Sequence, residues 1–303
     1  MRKLFIITAV LLLSSFSKPS NAIQSSVSQE PITGDWTAKV KETDKGRMLW
    51  LSLTTVRDGR NNYSQSSFDL PLQDFSGLNP DANANVQFTL NREAGTVAFN
   101  GIFKDGKGVG DFRFTPSAAF IGAMRNLGYE DLSSEKLFAM AIHDVNTKFV
   151  SEMKALGYTN LSTGNLISFR IFKVNEEFIR GMRALGYDAV PANKLVAMRI
   201  HRVDEAFVRE IQALGYEKPP VDKLIAIRIH RVDPEFVKEL GELGYSNLPL
   251  DKLIAFRIHH IDGKFIKEMR EAGFNKLTAD ELVKLRIFGV DSDYVRKLRG
   301  SSR

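Results

Sequence analysis

The chain has 303 residues, is 43% hydrophobic and 26% charged, and contains no cysteine. That balance excludes disordered and fibrous classes, and the lack of thiols excludes disulfides, thiolate catalysis and thiolate metal sites. The formal charge of +6 falls to +3 once Arg2, Lys3 and Lys18 are set aside with the leader described next, too little to argue a nucleic-acid partner from charge.

Residues 1–22 read as a secretory signal. Arg2 and Lys3 form a basic start, Leu4 to Leu13 an apolar run, and Ser20-Asn21-Ala22 a small-residue cleavage site. The run is about half the roughly 20 residues a bilayer span needs, so export is expected, with no stable membrane insertion. Cleavage near Ala22 would leave a periplasmic or extracellular protein.

A polar linker, 23–30, leads into residues 31–116, where the period changes. Trp36 to Val40, Met48 to Val56, Phe68 to Leu72, Val86 to Leu90, Thr96 to Phe103 and Val109 to Thr115 are short, rich in β-branched and aromatic residues, and bounded by turn residues. The spacing predicts about six antiparallel strands in a small sandwich or half-barrel, with Asp105-Gly106 turning the last hairpin. Gly34-Asp35-Trp36 resembles the opening of lipocalin-like barrels, which would imply a small-ligand pocket behind Trp36 and Trp50. About 85 residues is short for an eight-stranded ligand-holding barrel, and a Trp plugging a small β core is the preferred reading.

From residue 117 to 303 one sequence recurs. Gly128, Gly157, Gly186, Gly215, Gly244 and Gly273 fall at a constant interval of 29 residues, each followed by Tyr except the last, which precedes Phe274. A strict period of this size marks a solenoid. Ser117, Asn146, Asn175, Asp204, Asp233, Asp262 and Asp291 stand at one register and suit helix N-caps. Apolar pairs such as Val145 with Val150 and Val203 with Val208 suit staples across them. Each first helix would close at its glycine, with the following Tyr packing on the cap. A second helix would begin near Ser133, Ser162, Pro191, Pro220, Pro249 or Thr278, the prolines in the first turn, with Thr278 and Glu281 forming a capping box. The fold class expected is therefore α+β: a β domain, then an α-solenoid of six helix pairs and a terminal helix.

The second helices carry the one polar ladder that could bind. Arg170, Arg199, Arg228, Arg257 and Arg286 share a register, with Lys173, Arg202, Arg231 and His260 three residues on and so expected on the same face. The stripe suits a phosphate- or carboxylate-bearing polymer or an acidic partner. The competing and preferred reading places each Arg near a helix C-terminus, favoured by the dipole and reaching a carboxylate such as the neighbouring cap Asp. His143, His201, His230 and His259 share another register with Phe172 and Phe288, which argues for packing rather than metal ligation. No zinc-binding His-Glu-x-x-His, Gly-x-Ser-x-Gly elbow or phosphate-binding loop is found, so no catalytic residue, metal or cofactor is expected.

In Leu243-Gly244-Tyr245 and Leu253-Ile254-Ala255-Phe256-Arg257-Ile258-His259, residues 117–299 resemble a helical repeat array of bacterial envelope proteins. It is similar to the carboxy-terminal tails of some BlaR-type membrane metallopeptidases and to stand-alone exported proteins, where a segment like Phe99 to Phe120 precedes the repeats. The peptidase motif and its membrane helices are missing, so the resemblance implies an envelope context and a non-catalytic array in sensing or scaffolding. The expectation is an exported, non-enzymatic protein that binds a protein partner through its solenoid. The alternatives are an anionic-ligand binder using the Arg stripe and a small-ligand carrier using the β domain.

Overall fold

The computed structural model describes residues 31–44, 46–57 and 62–300; the signal and linker expected at 1–30 lie outside them. Seven strands form one curled antiparallel sheet rather than a sandwich, and one more than the six expected. They are β1 (Ile32–Thr43), β2 (Gly46–Arg57), β3 (Asn62–Pro71), β4 (Phe75–Ser76), β5 (Asn85–Arg92), β6 (Gly95–Lys104) and β7 (Lys107–Pro116), in the order β3-β2-β1-β7-β6-β5-β4. The additional strand is β4, two residues that pair with Leu90 and Thr89. Two residues are too few to show an alternation.

The inner face of the sheet is aromatic. Phe88 and Phe99 stack at 4.6 Å, and Trp36 meets Phe88 edge-on at 5.3 Å. Glycine makes room for the indole: a Cβ on Gly101 or Gly108 would come within 2.7 Å of its ring atoms. The Trp36 Nε1 donates to the Asn100 carbonyl at 3.1 Å, so its one polar atom is satisfied. Trp36 pairs with Leu53 and Trp50 with Lys39 across β1 and β2, an odd offset that puts the two Trp on opposite faces of the sheet. A common pocket behind both does not form.

Thirteen helices follow, each of nine residues. The first helices of the pairs are α1 (Ala118–Asn126), α3 (Thr147–Ala155), α5 (Glu176–Ala184), α7 (Glu205–Ala213), α9 (Pro234–Glu242) and α11 (Gly263–Glu271). Their partners are α2 (Ser134–Ile142), α4 (Thr163–Ile171), α6 (Ala192–Ile200), α8 (Val221–Ile229), α10 (Leu250–Ile258) and α12 (Ala279–Ile287), and α13 (Ser292–Gly300) closes the array. Helices this short are unstable alone, and the array stabilises them by stacking: the second helices pack on one another in an unbroken series from α2 to α12.

Local chemistry sets each boundary. Asn146, Asn175, Asp204, Asp233 and Asp262 accept a hydrogen bond from the backbone N–H three residues on, as does Ser117. Val203 and Val208, the staple pair around one such cap, are both fully buried. First helices end in a Schellman turn: Gly186 N–H donates to Arg183 O and Tyr187 N–H to Met182 O. Second helices start one residue later than the prolines suggest. Pro191, Pro220 and Pro249 are themselves the N-caps and make no side-chain cap bond. The capping box of Thr278 with Glu281 is present, and Ser162 with Asn165 forms another.

The β domain is seated on the array through α2. Phe138 stacks on Phe112 at 5.5 Å and 4° and lies 5.2 Å from Phe114. At the rim the Glu93 carboxylate accepts from Thr147 N and Oγ1, both at 2.9 Å.

Candidate interaction surface

The arginine ladder is largely turned inward. Each guanidinium lies over a first-helix Phe of its own repeat: Arg170 on Phe149, Arg199 on Phe178, Arg228 on Phe207, Arg257 on Phe236 and Arg286 on Phe265, at 3.8 to 5.2 Å from the ring centre. Four of the five also reach back one repeat to the carbonyls at the end of the preceding second helix. Arg170 Nε donates to His143 O, Arg199 Nε to Phe172 O, Arg228 Nε to Arg202 O and an Arg286 terminal nitrogen to His260 O. These carbonyls are the orphan acceptors of a helix C-terminus, where the dipole favours a cation. Carboxylates complete only two of the five: Asp144 for Arg170 at 2.5 Å and the cap residue Asp233 for Arg257 at 3.1 Å.

The second row does not continue this face. Each second helix has ended before Lys173, Arg202, Arg231 and His260 are reached. All four sit in the left-handed region at φ 53 to 56°, at the position where the first helices have glycine. They are exposed on the turn, as Schellman closures such as Val203 N–H to Met198 O require. Reading them as three residues further along one helix overlooked the stop. Arg228 and Arg231 do meet, in an open cleft of ≈ 430 Å³ also lined by Glu210, Asp233 and Glu235. Charges of both signs there make a weak case for an anion site.

His143 is the cap histidine that stands against the β domain. It meets Phe68 edge-on at 6.0 Å, and burial, aided by the Arg170 charge, holds its imidazole below the ordinary value. Among the described residues no three His, Cys, Asp or Glu are grouped so as to hold a metal ion.

Three further ladders join the repeats. The hydroxyls of Tyr158, Tyr187, Tyr216 and Tyr245 donate to Val190 O, Pro219 O, Leu248 O and Leu277 O, each 32 residues on. Lys194, Lys223 and Lys252 pair with Asp222, Asp251 and Asp280 of the next second helix. The third ladder is apolar and outward. Ile171, Ile200, Ile229, Ile258 and Ile287, one per second helix, are 44 to 57% exposed, whereas Ile142 at the same register is 3% exposed beneath the β domain.

Each ladder has a trace in the sequence. Lys and Asp recur at fixed offsets, Tyr holds its register in five copies and becomes Phe274 in the sixth, and Ile occupies one register in all six copies. No protein-family model, curated protein or solved structure matches the chain.

Proposed function

We propose that the chain is an exported, non-enzymatic interaction scaffold or sensor-type binding protein of the bacterial envelope, engaging a protein through its helical array. The observation that supports this best is the run of five half-exposed isoleucines at one register, which gives the array a continuous surface rather than a pocket. The Arg ladder on the Phe rings and the Lys–Asp ladder are engaged internally, which favours this reading over an anion-binding stripe, whose exposed members are Lys173, Arg202, Arg231 and His260.

Capture from envelope extract tests it, with residues 23–303 as bait at low and moderate salt. The expected result is a specific protein retained at both salts and competed away by free array. Retention lost with salt, or in an Arg202→Ala/Arg231→Ala bait, would move an acidic or polyanionic partner to first place. Amino-terminal sequencing of the mature protein, expected to begin after Ala22, tests the export step.

A further inference from the structure

We infer that the isoleucine ladder is the interface for a second copy of this chain, packed antiparallel about a two-fold axis near Ile229. The inference rests on the reading of the array as an interaction surface and assigns one face its occupant.

Apart from their Arg and Lys–Asp ladders, the second helices are apolar on most sides. In α8, Leu224 and Ile227 point into the core, while Ile225 and Ile229, four residues apart, share the opposite face. A helix apolar on two opposite faces belongs between two covers. The array supplies one. The first helices show that this is a choice of the sequence, since their outer faces carry residues such as Lys238, Glu239 and Glu242.

In the first repeat the second cover exists. Phe138 and Ile142 stand at the registers of Ile225 and Ile229, and the aromatic face of the sheet lies on them through Phe112 and Phe114. The exposed ladder is the uninterrupted continuation of that established interface.

Three features select a second copy as what continues the cover. The rungs recur once per packed layer, roughly 8–10 Å, and a second copy carries the same period by construction, so every rung finds a counterpart. Along the edge at the helix starts the border is already neutralised by the pairs Lys194–Asp222, Lys223–Asp251 and Lys252–Asp280, so that edge meets its mate without unpaired charge, while the exposed Arg202 and Arg231 lie along the other edge, giving an apolar centre with a polar rim. The direction follows from the β domain. It occupies the ladder face at the first rung, so two parallel copies would bring their β domains into collision. Antiparallel copies set each open end, where Phe288 is 78% exposed, toward the partner's β domain. Ile229, the middle of the five open rungs, then meets its own mate.

Sedimentation of purified residues 23–303 tests this without any extract, so it can fail while capture succeeds, and the reverse. A dimer at micromolar concentration is expected, and Ile200→Glu/Ile229→Glu should weaken it by about 100-fold or more, because the two carboxylates at position 229 would face each other and each one at position 200 would face the apolar Ile258 of the other copy. Both positions are half exposed, so the variant monomer should keep its circular dichroism and melt. Because the chain has no cysteine, single replacements give a second readout. Ile229→Cys should cross-link to itself under mild oxidation, whereas Ile171→Cys and Ile287→Cys should cross-link only when mixed. A wild-type monomer, a dimer indifferent to the Glu pair, or self-linking of Ile171→Cys as fast as Ile229→Cys would overturn the inference. So would a monomer that binds neutral lipid vesicles through the ladder.

Discussion

The Tyr187 hydroxyl donates to the Pro219 carbonyl, 2.8 Å away and 32 residues further along the chain. The residue that packs the cap of one helix thus also fixes the start of the second helix in the next repeat. Tyr187→Phe leaves the ring and removes the bond, orphaning a buried carbonyl, at an expected cost of about 1–2 kcal/mol in urea unfolding. The sixth copy has Phe274 at this register, so a ring without the hydroxyl is compatible with the cap turn. An equal loss from Tyr158→Phe, which is less buried but equally bonded at 2.9 Å, would confirm that the bond rather than burial carries the effect.

Arg228 should behave as architecture. Its guanidinium lies 3.8 Å from the Phe207 ring centre and donates to Arg202 O, contacts that need a flat fork rather than a point charge. Arg228→Lys should therefore cost nearly as much as Arg228→Ala, about 1 kcal/mol each, in chemical denaturation. Lys223, held by Asp251 at an exposed site, should lose under about 0.5 kcal/mol as Lys223→Ala. If Arg228→Lys proved neutral, charge rather than stacking would be its contribution.

Arg231 stands at φ 53° with its side chain on the turn. A side chain there costs about 1–2 kcal/mol that glycine avoids, and Gly289 fills the same place in the last repeat. Arg231→Gly should raise the melting temperature by a few degrees. If the same change weakened partner capture, the strain would be the cost of a retained contact residue.

His143 should make stability depend on pH. Its imidazole is held below 6.5, chiefly by burial and then by Arg170. Above pH 6.5 both folded and unfolded chains carry it neutral; below that the unfolded chain takes up a proton first. Stability should thus be complete above about pH 6.5 and fall as the pH drops toward the depressed folded value. Phe occupies this register at Phe172 and Phe288, so His143→Phe should fold and flatten the loss between pH 6.5 and 5 in thermal melts. An unchanged slope would assign the acid sensitivity to other groups.

The repeat could be read closely because its signals are local. Caps such as Asn146, staples such as Val203 with Val208, and the glycine stops act within a few residues, where type and spacing suffice. Links between repeats were less legible. Tyr187 bonds a backbone carbonyl, which every residue has, so nothing marks Pro219 as its partner. The stop before Lys173 and Arg202 was hidden because glycine, the usual signal for a left-handed residue, is replaced there by a charged side chain. The two-residue β4 left no pattern, and the single curled sheet followed from α2 filling its inner face, a contact with no local sign. Runs such as Leu253 to Ile258 are apolar on most sides in the sequence, but the side left open appears only once the β domain is seen on Phe138.

Phe138 and Ile167 share a register and differ in cover, which makes them a controlled pair. Phe138 is stacked between the sheet and the array; Ile167 lies on the core in α4, which packs on α2 and α6. Phe138→Ala removes a ring that joins two bodies and should cost about 3 kcal/mol. The loss should appear as uncoupling, with the single melt splitting as the β domain unfolds ahead of the array. Ile167→Ala should lower one transition slightly and leave it single, because the helices on either side of α4 still hold it. If Phe138→Ala also melted in one step, the rim contacts of Glu93 with Thr147 would suffice to join the domains, and the sheet would be fastened to the array by its edge rather than by its aromatic face.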